Sequence, residues 1–242
     1  AGLASRPGLT TWRVAVDAKL IPSHKVCVLE ASDRFGGRTY TVREDRTPFV
    51  DGLNVDIGAY RFAFEQHLPA DLIRYALKLP TACYMPSCAR EPLDGNLTLH
   101  KLTDPRTNSS SGYATALDRM LADLKAAGAV LRTGAALEAV IGAGDGGSGL
   151  ALHWRGGGGA TAAPNVFLNL PRHALMKLRG DSAVFTEAQP AARALYNCSH
   201  ELKDDGDYNL TYTKETSVKV YLVYEDAWWR TELGLVEGEV SS

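Results

Sequence analysis

No run in this sequence approaches the roughly 18 uncharged apolar residues of a membrane span, and its longest apolar stretches are strand-sized. Neither sign of charge dominates. Lys plus Arg number 26 against 28 Asp plus Glu, for a formal net charge of −2. That balance excludes a basic nucleic-acid-binding module. The four cysteines (Cys27, Cys83, Cys88, Cys198) form no Cys-x-x-Cys pair and have no His-rich spacing, so zinc and thioredoxin-type chemistry lack support. Six scattered histidines without a Ser-His-Asp pattern give no hydrolase reading. No charged segment followed by an apolar one opens the sequence, so a targeting peptide is expected to be removed or never included. What is present is the composition of a globular protein. Hydrophobic residues make up 45% and charged residues 22% of 242 positions, enough for one large or two modest domains with an unstapled core.

Two features bear on the compartment. Cys27 sits inside an apolar run and reads as a buried free thiol, whereas spacing alone leaves a Cys83–Cys88 disulfide open. Asn96, Asn108, Asn197 and Asn209 each open an Asn-x-Ser/Thr sequon, where chance gives roughly one. The excess points to the secretory pathway and a glycoprotein. Organelle targeting is the alternative.

A helix is expected over about 10–19. Lys25 to Glu30 (KVCVLE) reads as a buried parallel strand ending in an acid. Leu72, Ile73, Ala76 and Leu77 trace a short helix after Pro69, and residues 80–111, rich in Pro, Gly, Ser and Asn, read as an irregular surface excursion. Leu117, Met120, Leu121 and Leu124 fall at i, i+3, i+4 and i+7, predicting an amphipathic helix over 113–127. A short strand is expected around Val130 to Arg132, a hairpin from 136–141 and 150–154, a buried strand over 165–170 stopped by Pro171, and a strand over 218–224 before Trp228-Trp229. The class is mixed α/β.

Gly142, Gly144 and Gly147 match G-x-G-x-x-G, but a strand follows them. A dinucleotide fingerprint needs a helix there, so that its N-terminus faces the pyrophosphate. This is a hairpin tip. The segment VCVLEASDRFGGRT (26–39) is different. Glu30 ends a buried strand at a carboxyl-terminal sheet edge, where open α/β sheets bind ligands and an acid can accept from both hydroxyls of a ribose. Gly36 and Gly37 let backbone N–H groups approach a pyrophosphate, and Arg38 can neutralise it.

This stretch resembles the second strand and adjoining Gly-Gly-Arg motif of flavin-dependent amine oxidases, the family of monoamine, polyamine and L-amino-acid oxidases. The resemblance implies FAD and adds Ala31 and Arg34 to the cofactor-binding set. The segment Asp56-Ile57-Gly58-Ala59-Tyr60-Arg61 resembles the part of the family under the flavin ring, which implies cofactor contacts at Gly58, Ala59 and Tyr60. Arg61 matches an arginine that binds the substrate carboxylate in L-amino-acid oxidases, and a guanidinium fork suits that group. Leu137 matches a strand position whose backbone meets the adenine. Lys219, in VKVYLVY, matches the active-site lysine that holds a water beside the flavin. Burying it in an apolar strand is costly without a polar partner.

The fold implied is a Rossmann-like FAD-binding domain (1–64 and 112–176) interleaved with a partial mixed-sheet substrate domain (65–111 and 177–242). The family begins with a strand running into G-x-G-x-x-G. Gly8, 22 residues before Glu30, is the better candidate for its last glycine, with Leu3 and Ser5 where the other two are expected; Gly2, 28 before, is the alternative, and the first two glycines would then precede the chain. On this reading the first strand is missing, as is the segment that closes over the flavin ring. The expected activity, oxidation of an amine or L-amino acid by O2, then belongs to the full-length protein. The alternative is a structural or accessory subunit, without flavin, that joins other chains in a larger assembly.

Overall fold

The computed structural model describes residues 22–43, 54–84, 88, 97–107, 109–142, 149–157, 159–170, 172–175, 177–186, 226 and 228–234. Strand β1 (Cys27–Leu29) pairs in parallel with β7 (Val130–Arg132), Cys27 opposite Val130. Helix α2 (Ala114–Ala126) leads into β7, and Gly128 (φ 87°) makes the turn between them. The expected helix is present because its apolar stripe has a place to go. Leu117, Met120 and Leu124 are buried in one cluster with Val26, Val28, Phe62 and Ile73, while Asp118, Arg119 and Lys125 face solvent.

Three small antiparallel sheets complete the described fold. β2 (Thr41–Val42) pairs with β3 (Val55–Asp56). β4 (Phe62–Ala63) and β5 (Thr81–Cys83) flank β6 (Leu99–Leu102), Phe62 opposite His100 and Cys83 opposite His100 on the other side. Helix α1 (His67–Asp71) passes into a π-helical turn over Leu72–Ala76, marked by the Leu77 N–H bonding to Leu72 O at 2.8 Å. β8 (Leu137–Gly142), β9 (Leu150–Trp154) and β10 (Ala160–Ala163) form a meander. Short helices α3 (Arg172–Leu175), α4 (Ala183–Thr186) and α5 (Trp228–Thr231) follow. No described helix is long and apolar enough to cross a membrane.

Three expectations need correction. Cys27 is exposed, not buried. Among the described residues α2 covers one face of the β1–β7 pair, so Val26 and Val28 point inward while Cys27 and Val130 do not. The 80–111 stretch is not wholly irregular, since it supplies β5 and β6 with Leu99 and Leu102 buried. Residues 165–170 form no strand, and Phe167 is 58% exposed. The expected helix over 10–19 and strand over 218–224 lie outside the described residues, as do Gly8 and Lys219. Gly142 ends β8 opposite Leu150 of β9, which is the hairpin context and not that of a phosphate loop.

Candidate functional site

Glu30 follows β1 and is 2% exposed. Its N–H bonds to Arg132 O at 3.0 Å, extending the pairing with β7, and its carbonyl accepts from Ala135 N at 2.8 Å. Oε1 accepts from the Ser32 backbone N–H at 2.8 Å and lies 3.0 Å from the Ser32 hydroxyl. Such donors take the place of water at a buried carboxylate. Ser32 was not singled out in the sequence; a hydroxyl two residues after a strand-ending acid was the available signal. Leu137 opens β8 two residues beyond Ala135, the residue whose N–H bonds to Glu30 O.

From Ala31 the chain turns through Arg34, Gly36 and Gly37. Arg34 Nη2 donates to Gly37 O at 2.8 Å, and its guanidinium lies 4.2 Å from the Tyr40 ring centroid. These contacts hold the turn, and Arg38 emerges from it exposed. Gly36 has φ 109°, and a Cβ there would sit 2.4 Å from Leu117 Cδ2 and 2.7 Å from Thr39 O. The space freed at Gly36 is therefore taken by α2. Gly37, at φ 52°, is left-handed and half-buried in the turn.

Gly58 joins the two motifs. A Cβ at Gly58 would stand 1.4 Å from Arg38 O, so the Gly-Gly-Arg turn and the 56–61 segment lie backbone against backbone. The Ile57 N–H bonds to Tyr40 O at 3.0 Å beside that contact. Buried Asp56 fixes the junction to α2: Oδ1 accepts from Thr41 Oγ1 at 2.5 Å and from Tyr113 N at 2.9 Å, and Thr41 Oγ1 accepts from Ala114 N at 3.0 Å. Two open N–H groups of the helix are thus capped from β2 and β3, with negative charge at the positive end of the helix dipole.

Ala59 packs against the core, and Tyr60 and Arg61 continue toward β4. The Arg61 guanidinium lies 4.9 Å from the Tyr60 ring centroid and 5.7 Å from that of Tyr84. Nearby, the Phe64 and His100 rings stack at 3.6 Å, with the Arg74 guanidinium 4.0 Å from the Phe64 centroid. Burial first and the Arg74 charge second push the His100 imidazole below its usual value, against a smaller upward pull from Glu65. A cleft of about 310 Å³ opens between Leu79–Pro80, Thr103–Arg106 and the start of α2, away from the residues picked out by sequence.

The structure thus joins Glu30, Ala31, Arg34, Gly36, Gly37 and Arg38 to Gly58, Ala59, Tyr60 and Arg61 through adjoining backbone contacts, with Leu137 at the start of β8. The donor set fits the adenosine and pyrophosphate end of FAD: a carboxylate for ribose hydroxyls, a left-handed glycine turn, and the exposed guanidinium of Arg38 for phosphate. No curated protein matches the chain. Residues 20–92, which carry both motifs, match the family model of flavin containing amine oxidoreductases.

Proposed function

We propose that this chain serves FAD-dependent oxidation of an L-amino acid, within a Rossmann-like cofactor domain interleaved with a substrate domain. The observation that carries the reading is the Gly58–Arg38 contact, which sets a cofactor-type turn directly beside a segment that ends in Arg61. The chemistry FAD supplies when bound is removal of a hydride equivalent from the amine-bearing carbon, with O2 as final electron acceptor. Overall, amino acid, O2 and water become keto acid, ammonium and hydrogen peroxide.

The chain's own residues bind and orient. Glu30 would hold the ribose, Arg38 and the Gly37 turn the pyrophosphate, and Leu137 the adenine through its backbone. Arg61 would take the substrate carboxylate in a two-pronged grip, and Lys219 would hold a water at the reacting end. Secretion is part of the proposal, supported by the four sequons and by the Cys83–Cys88 disulfide, because such bonds persist in oxidising compartments.

Mixing the FAD-loaded chain anaerobically with L-amino acids and with their decarboxylated amines tests the reading. Bleaching of the visible flavin band by amino acids is expected, with hydrogen peroxide released in air. Arg61→Ala should raise KM for the amino acid about tenfold or more and leave the amine little changed. Lys219→Met should slow flavin reduction about a hundredfold. FAD-loaded protein bleached by neither substrate class would reject the proposal.

A further inference from the structure

Arg61 does not stand alone. Tyr60 and Tyr84 meet at a centroid distance of 5.5 Å and an interplanar angle of 62°, and both rings lie within cation–π reach of the Arg61 guanidinium. Tyr60 is a chain neighbour and follows Arg61 wherever it goes. Tyr84 comes from 23 residues further along and is held independently. Its N–H bonds to Leu99 O at 2.8 Å, prolonging the β5–β6 ladder. Immediately before it, Cys83 is disulfide-bonded to Cys88 with Cα atoms 5.2 Å apart. The backbone on which Tyr84 stands is thus restrained on both sides of the ladder's end.

A guanidinium on a flexible stem loses rotamer freedom when it grips a carboxylate, and a pre-set orientation reduces that cost. An aromatic face supplies such an orientation without competing for the N–H donors, because it attracts the plane of positive charge and leaves the in-plane hydrogens to the ligand. We propose that Tyr84 is a positioning residue for Arg61, fixed by β5–β6 and the Cys83–Cys88 bond, which holds the guanidinium ready for an α-carboxylate. The inference rests on the carboxylate-binding reading of Arg61.

Two measurements on the same variants separate this inference from that reading. The first needs no substrate: the Nε–H signal of Arg61 in the ¹⁵N-labelled chain, assigned by its loss in Arg61→Lys. Ring faces beside the guanidinium should shift it upfield. Tyr84→Leu should return it toward the position of a free arginine, and Tyr84→Phe, which keeps the ring and serves as the folding control, should preserve it. The second is equilibrium binding, to the FAD-loaded chain held anaerobically with its flavin reduced so that nothing is turned over, of L-leucine and of 3-methylbutylamine, its decarboxylated counterpart. Tyr84→Leu should weaken L-leucine about five- to tenfold and the amine by less than about twofold, with Tyr84→Phe near wild type. A signal and an L-leucine affinity both unmoved by Tyr84→Leu would overturn the inference while Arg61→Ala still weakened L-leucine about tenfold or more. An L-leucine affinity unmoved by Arg61→Ala would instead reject the carboxylate reading and the inference with it.

Discussion

Glycines divide the described molecule into two regions. Around the candidate cofactor turn they are packed: Gly36 backs onto Leu117, Gly58 onto Arg38 O, and Gly112 onto the Thr41 side chain. After β7 and in the β9–β10 connection they are not, and Gly134, Gly156, Gly157 and Gly159 have nothing within 4 Å of an added Cβ. One set permits close approach of chain segments far apart in sequence, and the other only turns the chain. The cores differ in the same way. The cluster around α2 unites β1, β4, the helical stretch 70–77 and Leu102. The meander buries Ala139, Val140 and Leu152 and is tied to α4 by the Val140 N–H on Ser182 Oγ at 3.3 Å. A glycine motif therefore gains meaning from what occupies the space it leaves.

Substitutions should expose that difference in graded steps. Gly58→Ala is expected to be the most damaging, because a Cβ 1.4 Å from a backbone oxygen cannot be relieved by a rotamer change. A loss of about 4 kcal/mol or failure to fold is expected by urea denaturation. A loss below about 1 kcal/mol would show that the two motifs do not touch. Asp56→Ala should come next at about 2–4 kcal/mol, since it strands the buried Tyr113 N–H and the Thr41 hydroxyl. Asp56→Asn should recover part of the loss.

The His100 effect is smaller and depends on pH. Its folded-state pKa is depressed, so near pH 6.5 the unfolded chain takes up the proton more readily than the folded one. Stability should be complete above that pH, fall as the pH drops through it, and level off below the folded pKa. His100→Gln should flatten that segment of the curve. Gly180→Ala should have the least effect, within about 0.5 kcal/mol in thermal melts, because open space surrounds the site.

Legibility in the sequence followed the range of the forces involved. Helix α2 could be read because its apolar stripe is a local periodicity, and β8–β9 because a glycine-rich tip joins two apolar runs. Strands β4, β5 and β6 could not. They are two to four residues long and are defined by pairings such as Phe62 with His100, to which local composition is blind. The run Asn165–Leu170 misled for the complementary reason: β-favouring residues make a strand only where a partner edge is available, and none pairs with it among the described residues. At the site, Glu30, the Gly-Gly-Arg turn and the 56–61 segment stood out as motifs. Their mutual contact did not, nor did Ser32 and Tyr84, whose roles come from folding. The possible Cys83–Cys88 pairing was the one sequence signal adjacent to Tyr84.

If the Glu30 to Arg38 turn holds the adenosine end of FAD, as proposed, a competition titration will show it. Flavin fluorescence of added FAD should be quenched on binding, displaced by ADP-ribose and unaffected by FMN. Glu30→Gln should weaken FAD about tenfold or more without altering the circular dichroism spectrum. Equal FAD affinity in wild type and Glu30→Gln, or displacement by FMN but not by ADP-ribose, would contradict it.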